Sequence, residues 1–418
     1  MNFMTDRRIY LHKVATIDSD TFIGLKISQK SVDIFIPEFL PFSDINNKKS
    51  LKNDVFLLIK SINLIENKDQ SKSKTDDNIF ESNSFNFLSY VWIIRDYINN
   101  GYYKEFEKNY GYRNSGKINW KKTLNSNSDL LKNNIFRNLV YEYKSNVETT
   151  LTEAYKVCLY IALSRIGWLF NASEKNVNIN NDALKKINFF ASIIKKELKR
   201  TFVDSKKIRL KEMLKILLST DSSKNIDECV YGTSNYFVVF EKMIDKVFGN
   251  VKNINDYYPR GLWHLEKENK IIMSTNLRPD TICSYENYYC IIDSKYYRFG
   301  TTFENKDLPN TTSIEKQIIY AEDLKINHSG NKVIYNIFIM PFDKNSKQAK
   351  HYFNREKMND VEYIGYAYAS WKNTNISDLN LNNKVFTFLI DLKYLMEMAS
   401  LGKKLNFFEF FHEMDFIK

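Results

Sequence analysis

Two aspartates and a lysine lie close together in the C-terminal half of the chain. Asp280 precedes a short apolar segment, Thr281–Cys283, and Asp293 and Lys295 follow a second one, Tyr288–Ile292. A turn-like stretch separates the two segments, and this pattern predicts a β-hairpin. Such a hairpin would bring both carboxylates and the ammonium group to one end of a sheet. Carboxylate oxygens bind hard divalent cations, and a cation beside a lysine is suited to hydrolysis of a phosphodiester.

Each of these residues has a role in that hypothesis. Asp280 and Asp293 hold one or two Mg²⁺ ions, and the backbone carbonyl of Ser294 adds a ligand. Lys295 lies two residues beyond Asp293 and therefore faces the same side of a strand, where its ammonium group could orient the attacking water. A simpler alternative stays open. Asp-x-Lys triplets are common, Pro-Asp begins ordinary turns, and a salt bridge between Asp293 and Lys295 would explain both without a metal.

Two predicted helices flank this hairpin and carry further candidates. The apolar run in residues 235–248 predicts a helix that contains Glu241. A carboxylate is costly to bury unless it is paired or bound to metal, so Glu241 is a further candidate metal ligand. Its alternative is a position on the solvent side of the helix. The second helix, around residues 313–324, carries Gln317.

The composition describes a long, basic chain. Its 418 residues suffice for two or three domains with their own cores. It has 61 Lys and Arg against 50 Asp and Glu, a formal charge of +11. Such an excess attracts polyanions, of which nucleic acid is the commonest. An AT-rich coding sequence would also enrich Lys and Asn, so charge alone does not decide the partner.

The spacing of the cysteines and the length of the apolar runs indicate the cellular compartment of the protein. The four cysteines have no Cys-x-x-Cys spacing and the five histidines do not cluster with them, which argues against a zinc module. The cysteines therefore resemble buried thiols of a reducing compartment. No signal-peptide pattern and no run of 18 apolar residues occurs. We expect a cytoplasmic protein with no membrane partner.

The order of elements predicts an α/β (α+β) fold with three regions. Residues 1–66 are predicted to be rich in strands, with a hairpin formed by residues 21–27 and 31–36. Residues 84–224 are predicted to be mainly helical and to contact DNA or a partner. Residues 225–418 are predicted to form a nuclease domain, a mixed sheet flanked by helices.

A basic and aromatic segment lies in the middle region. Residues 102–123 are predicted to be irregular, and four of their side chains could contact a phosphate backbone or stack on a base: Lys117, Trp120, Lys121 and Lys122. The alternative is a solvated loop that Trp120 anchors to the core.

Several motifs together resemble a known group of nucleases. Pro279-Asp280 with Asp293-Ser294-Lys295 resembles the PD-(D/E)xK nuclease signature. Two longer forms, residues 277–280 and residues 291–297, are similar to those of the LlaJI-type restriction endonucleases and of the related McrC nuclease subunits. Phe240-Glu241 resembles their upstream Phe/Trp-Glu element. Residues 316–320 resemble their Gln…Tyr helix, although the spacing from Gln317 to Tyr320 is one residue shorter than in Gln-x-x-x-Tyr.

This resemblance implies a type II-like restriction endonuclease that cuts double-stranded DNA with Mg²⁺ in a restriction-modification system. It implies that Glu241 supports the metal and that Gln317 positions the lysine or the substrate. Its members often work with a McrB-like nucleotide-hydrolysing motor and a cognate methyltransferase. The sequence has no Gly-x-x-x-x-Gly-Lys-Ser/Thr phosphate loop, so a motor would be a separate protein. Three alternatives stay open: a subunit active only with that motor, a homodimer, and a DNA-binding or assembly protein that does not cut.

Overall fold

The computed structural model describes most of the chain as two compact units. The described residues are 8–15, 21–28, 30–42, 47–66, 84–112, 115–125, 130–131, 135–136, 139–180, 182–221, 229–251, 253–257, 259–274, 277–328, 330, 332–369 and 381–410. The middle unit comprises Met1–Arg8, Ile27–Ser31 and Ser82–Tyr231, and the C-terminal unit comprises Ile9–Lys26, Val32–Glu81 and Gly232–Lys418. The three regions predicted above stay a prediction. Most of the predicted strand-rich region, residues 1–66, belongs to the same unit as the predicted nuclease domain, residues 225–418.

Strands dominate the start of the chain, as predicted. They are followed by one long helix, and the elements are β1 (Arg8–Val14), β2 (Ile23–Ile27), β3 (Ser31–Pro37) and α1 (Lys48–Glu66). In β3 the buried side chains alternate with partly exposed ones, which gives the strand one face toward a core. Strands β2 and β3 are neighbours in one sheet, which confirms the predicted hairpin.

The middle of the chain combines helices with a small sheet. Its elements are α2 (Ser84–Asn100), β4 (Glu105–Tyr112), β5 (Lys117–Ile118), α3 (Trp120–Asn125), β6 (Leu130–Leu131), β7 (Ile135–Phe136), β8 (Val140–Val147), α4 (Thr150–Phe170), α5 (Ile187–Arg200) and α6 (Asp204–Asp221). Helix α4 is apolar on nearly all sides and is buried along most of its length. It contacts α2, α5 and α6, so it is the centre of this helical group.

One ionic network joins three of these helices. Asp96 on α2 accepts hydrogen bonds from Nε and Nη2 of Arg209 on α6, both at 2.8 Å. The hydroxyl of Tyr155 on α4 donates to the same carboxylate at 3.0 Å. Burial alone would raise the pKa of Asp96, but the bonds from Arg209 and Asn100 outweigh it and lower that pKa.

The prediction of an irregular segment at residues 102–123 was wrong for most of its length. Residues 105–112 form β4, which pairs antiparallel with β8 over its whole length, and β5 adds to the other edge of β8. Residues 113–114 of the predicted segment lie outside the described residues. The partner strand β8 is far along the chain, so the pairing leaves no local pattern that identifies β4.

The C-terminal unit takes most of its elements from the last part of the chain. They are β9 (Cys229–Thr233), α7 (Tyr236–Phe248), β10 (Leu262–Leu265), β11 (Lys270–Met273), β12 (Thr281–Ser284), β13 (Tyr288–Ser294), α8 (Phe299–Thr302), α9 (Thr311–Asn327), β14 (Val333–Phe342), α10 (Lys347–Phe353), β15 (Val361–Ala367), β16 (Val385–Asp391) and α11 (Leu392–Leu401). Strand β9 completes the first sheet, in the order β1-β3-β2-β9.

A five-stranded mixed sheet is the centre of this unit. Its order is β12-β13-β14-β16-β15. Strands β13, β14 and β16 run parallel, and β12 and β15 are antiparallel edge strands. Strand β14 is buried along almost its whole length, as expected of a central parallel strand covered on both faces. The predicted α/β class, a mixed sheet flanked by helices, is confirmed.

Helices cover both faces of the sheet beside the predicted hairpin. Ile282 and Ile291 are directly opposed across β12 and β13, and they pack in one core cluster with Tyr320 and Leu324 of α9. Cys283 points to the other face, where its thiol donates to the Phe248 carbonyl of α7 at 3.2 Å. The ends of β12 and β13 therefore lie between α7 and α9. None of the helices in the described ranges has the length and apolarity needed to cross a bilayer.

Candidate active site

The hairpin brings Asp280 next to the end of β13. Thr281 pairs with Ile292, so Asp280 lies level with Asp293 at the same end of the sheet. The backbone N–H of Ser294 donates to Oδ2 of Asp280 at 2.7 Å. The predicted convergence of both aspartates at one end of a hairpin is therefore present in the structure.

Lys295 adds a cation to this cluster. Its Nζ lies 2.6 Å from Oδ2 of Asp293, and both side chains are mostly buried. Its backbone N–H donates to the Ile339 carbonyl of β14 at 2.8 Å, which fixes the chain just beyond β13. Burial alone would lower the pKa of Lys295, but the adjacent Asp293 carboxylate raises it, so the side chain is held as an ammonium ion. The salt bridge that the sequence offered as the simpler alternative is thus present.

Glu241 faces this cluster from α7. Burial raises the pKa of Glu241, the Asp293 carboxylate raises it further, and Lys295 opposes both. Glu241 also lines the same cavity as Ser294 and Lys295, so it lies near the hairpin end and not on the solvent side of its helix. Among the residues that the sequence analysis selected, Glu241 is the one brought in by tertiary packing from an earlier helix.

The carboxylates carry more negative charge than Lys295 offsets. Burial, then the Asp293 carboxylate and then that of Glu241, raise the pKa of Asp280 to about 8, although the Ser294 N–H acts in the opposite direction. An acid with so high a pKa holds its proton at neutral pH because its ionised form lacks a counter-charge. A further cation at this place would lower that cost.

The donor set suits magnesium better than zinc. In the described part of the chain, no three His, Cys, Asp or Glu side chains converge as a metal-binding group. Mg²⁺ does not need such a group, because it keeps several waters and binds through one or two carboxylates. Asp280 and Asp293 could supply these two carboxylates. The hydroxyl of Ser294 is buried, with no hydrogen-bond partner among the described residues.

Gln317 supports the strand that carries Asp293. It is fully buried on α9, and its Nε2 donates to the carbonyls of Ile291 on β13 and Ile337 on β14, at 3.1 and 3.2 Å. The side chain therefore ties two parallel strands together below the hairpin end. Tyr320, the second residue of the predicted Gln…Tyr helix, is buried in the same core, where Asp293 and Asp280 add to the effect of burial in raising its pKa.

A cavity of about 310 Å³ adjoins the cluster, and the sequence analysis did not find it. Its lining includes Glu241, Ser294 and Lys295, which place it next to the candidate site. Aromatic side chains form much of the remaining wall: Tyr236, Phe237, Tyr296 and Tyr297. Tyr296 and Tyr297, which directly follow Asp-Ser-Lys in the sequence, could have indicated this cavity. Two tyrosines directly after a charged triplet suit the wall of a binding pocket.

The four residues predicted to contact DNA lie in the middle unit. Lys117 belongs to β5, and Trp120, Lys121 and Lys122 belong to the first turn of α3. Trp120 is 55% exposed, so it does not anchor the segment in a core. Their role in DNA binding stays a prediction.

Several known proteins are similar to this chain. The family model described as LlaJI restriction endonuclease matches residues 22–367. The type II restriction enzyme BsuMI component YdjA of Bacillus subtilis (strain 168) is 24% identical over 411 residues, which span 92% of this chain and 85% of that protein. Two solved assemblies of Thermococcus gammatolerans also match, each at 10% identity. One is a half-complex of McrB AAA+ hexamers with bound McrC, with a TM-score of 0.35 over 91% of this chain and 82% of that one. The other is an McrBC complex, with a TM-score of 0.22 over 54% of this chain and 64% of that one.

TM-scores this low do not establish a shared fold. The family model, by contrast, spans most of the chain and includes the helix with Glu241, the hairpin and the helix with Gln317. This chain belongs to the LlaJI restriction endonuclease family.

Proposed function

We propose that this restriction-system nuclease is a Mg²⁺-dependent, site-specific deoxyribonuclease that hydrolyses phosphodiester bonds of double-stranded DNA, in the manner of a type II enzyme. One observation carries the proposal: Asp280 and Asp293 lie at the same end of the hairpin, where Lys295 pairs with Asp293 and Glu241 lines the adjoining cavity. Structural ion pairs usually balance their charges, whereas this cluster has an excess of acid. Hydrolysis of a phosphodiester with a divalent cation requires carboxylates that bind the cation and a positively charged group such as lysine beside them.

Each side chain has a distinct part in this proposal. Asp280 and Asp293 would hold Mg²⁺ together with the backbone carbonyl of Ser294, and Glu241 would support it. The bound cation supplies a Lewis acid that offsets the charge developing on the phosphate. Lys295 now donates to Asp293 at 2.6 Å. If a cation engaged Asp293, the Lys295 ammonium group would be free to hold the attacking water and to contact a phosphate oxygen.

Gln317 and the adjacent cavity complete the proposal. Gln317 acts as a positioning residue, because its two hydrogen bonds hold the carbonyls of β13 and β14 next to Asp293. The cavity opens beside Lys295 and Glu241, so a DNA strand could reach the cluster from that side.

A form of the same activity that depends on other subunits is the second candidate. The relative in Bacillus subtilis is named a component of a type II restriction enzyme, so that enzyme has more than one part. In this candidate the chain cuts only with a McrB-like motor that hydrolyses nucleotide. A cognate methyltransferase would protect host DNA in either case. A homodimer would supply one cluster for each DNA strand.

The test incubates the purified full-length chain with unmethylated plasmid and Mg²⁺, with EDTA as the metal-free arm. We expect linear or fragmented plasmid with Mg²⁺ alone. Asp293→Asn and Lys295→Ala should each reduce cutting by at least about 100-fold, the typical cost of removing a group that stabilises transition-state charge. Asp360→Asn is the matched control, because Asp360 pairs with Lys344 in the same unit but outside the cluster.

Three outcomes decide between the candidates. Cutting that survives Asp293→Asn and Lys295→Ala would refute the assignment of the site. Cutting that appears only after a motor subunit and nucleotide are added would favour the motor-dependent candidate. Binding of DNA without cutting in both conditions would favour a non-cutting assembly protein.

A further inference from the structure

The small sheet of the middle unit has one face with large aromatic side chains in solvent. Phe106, Tyr110 and Tyr112 occupy alternate positions of β4, so they project from the same face. They are 71%, 37% and 63% exposed. Three large aromatic rings exposed on one face of a strand are unusual on a protein surface and mark a place where something binds. We call this surface the aromatic face.

Lysines surround these rings. Lys108 lies between Phe106 and Tyr110 and is directly opposite Lys144 of β8. Lys117 of β5 is on the same face, because it is paired with Glu142, the residue opposite Tyr110. Nζ of Lys122 on α3 lies 3.3 Å from the centroid of the Tyr110 ring.

The charges on this face are incompletely balanced. Glu142 is 2.8 Å from Lys108 and offsets one of the lysines. Lysines directly opposite each other on adjacent strands repel, so Lys108 and Lys144 destabilise the bare sheet. An anion bound between them would remove that cost. A phosphate group meets this requirement.

Two other occupants fit the face less well. Protein interfaces are enriched in aromatic residues but depleted in lysine, whereas here the two alternate. Duplex DNA keeps its bases stacked, so the rings of a flat sheet cannot reach their faces. Tyr110 and Tyr112 are two residues apart on a strand, or about 7 Å, roughly twice the spacing of bases in a duplex strand. This spacing suits bases that are no longer stacked on each other.

We propose that the aromatic face binds single-stranded DNA, with the rings stacking on unpaired bases and the lysines contacting phosphates. Phe106, Tyr110 and Tyr112 are the stacking residues, and Lys108 and Lys144 bind the backbone. This site is separate from the carboxylate cluster in sequence. The choice of DNA over RNA rests on the proposed function, whereas the stacking and the phosphate contacts do not.

The experiment measures binding of the full-length protein to a fluorescent oligothymidine of about 16 nucleotides, the upper end of common site sizes. EDTA is present throughout, so that cutting cannot interfere. Phe106→Ala and Tyr112→Ala should each weaken binding about 5- to 100-fold, since one stacked base is lost. Tyr112→Phe keeps the ring and should bind almost as the wild type does. Phe189→Ala, which removes a ring of similar exposure on α5, is the control.

A salt titration tests the phosphate contacts separately. Lys108→Gln should lower the slope of log affinity against log salt by about 0.7, the contribution of one phosphate on a single strand. Circular dichroism of each variant checks that the sheet still folds.

The outcomes distinguish this proposal from the proposed function. Asp293→Asn should abolish cutting and leave oligothymidine binding unchanged. Failure to bind, or equal binding by the wild type, Phe106→Ala and Tyr112→Ala, would overturn the proposal. Tighter binding to a duplex of the same length, or to the matching RNA, would overturn the choice of single-stranded DNA even if cutting proceeds as proposed.

Discussion

Replacement of Asp280 by asparagine should stabilise the metal-free protein, although it removes a candidate catalytic group. Burial and the carboxylates of Asp293 and Glu241 raise the pKa of Asp280 to about 8. In the unfolded chain that pKa is about 3.9. Between these values the unfolded chain releases the proton and the folded chain retains it, so stability falls as the pH rises. Asparagine has the same shape and still accepts a hydrogen bond from Ser294, but it never ionises.

The expected gain follows from the difference in pKa. One pKa unit corresponds to about 1.4 kcal/mol, and about three units separate 3.9 from neutral pH, so the limit near pH 7 is about 4 kcal/mol. Asp293 shares the repulsion, so we expect about 1 to 4 kcal/mol. The gain should vanish as the pH falls below about 4, where Asp280 becomes protonated in both states.

Urea unfolding followed by circular dichroism, in EDTA at about pH 5 and about pH 8, measures this difference. Asp360→Asn is the control, because its exposed pair with Lys344 should change stability by less than about 1 kcal/mol. Added Mg²⁺ should then stabilise the wild type and leave Asp280→Asn unchanged. A variant less stable than the wild type at the higher pH would refute the reasoning. So would a difference that does not depend on pH.

Three further predictions concern the rest of the fold. Asp96→Asn should destabilise the protein by about 3 kcal/mol, because Arg209 loses a largely buried partner. Urea titration measures the change in the free energy of unfolding, and a loss below about 1 kcal/mol would contradict the prediction. The wild type should also lose this contribution as the pH falls below about 4, because the pKa of Asp96 is lowered in the fold. Gly300→Ala would put its Cβ 2.1 Å from the Pro341 carbonyl oxygen and should lower stability by about 1 to 3 kcal/mol; an unchanged urea midpoint would refute this. All four cysteines are buried thiols outside any disulfide, so a thiol reagent should label none in the native protein and four in urea. Rapid native labelling would contradict the packing.

The hairpin and its charged residues could be predicted because their pattern is local. Two short apolar segments around a turn indicated antiparallel pairing, and that pairing alone brings Asp280 next to the end of β13. The apolar helices with Glu241 and Gln317 were also predicted. Their distances from the hairpin were not, because the packing of α7 and α9 on opposite faces depends on contacts across the whole unit.

The aromatic face was missed for a related reason. Strand β4 reads Glu-Phe-Glu-Lys-Asn-Tyr-Gly-Tyr and is mostly exposed on both sides, so its sequence lacks the alternation of a half-buried strand. Its hydrogen bonds come from β8, which the chain reaches only after another helix and three short strands. The Lys and Trp residues of α3 were noticed by composition alone. The three rings beside them became apparent only once the register of the strands was known.

The order of strands in the mixed sheet has a consequence for how the protein folds. Asp280, Asp293 and Lys295 meet through an antiparallel hairpin, whose closure is fast because its strands are adjacent in sequence. Strand β14 joins β13 in parallel, and the chain must first complete α8 and α9 before that pairing forms. Gln317 can bridge the two strands only after this slower crossover is made. A mutation that destabilises the crossover should therefore slow the formation of the cluster during refolding without altering any charged residue in it.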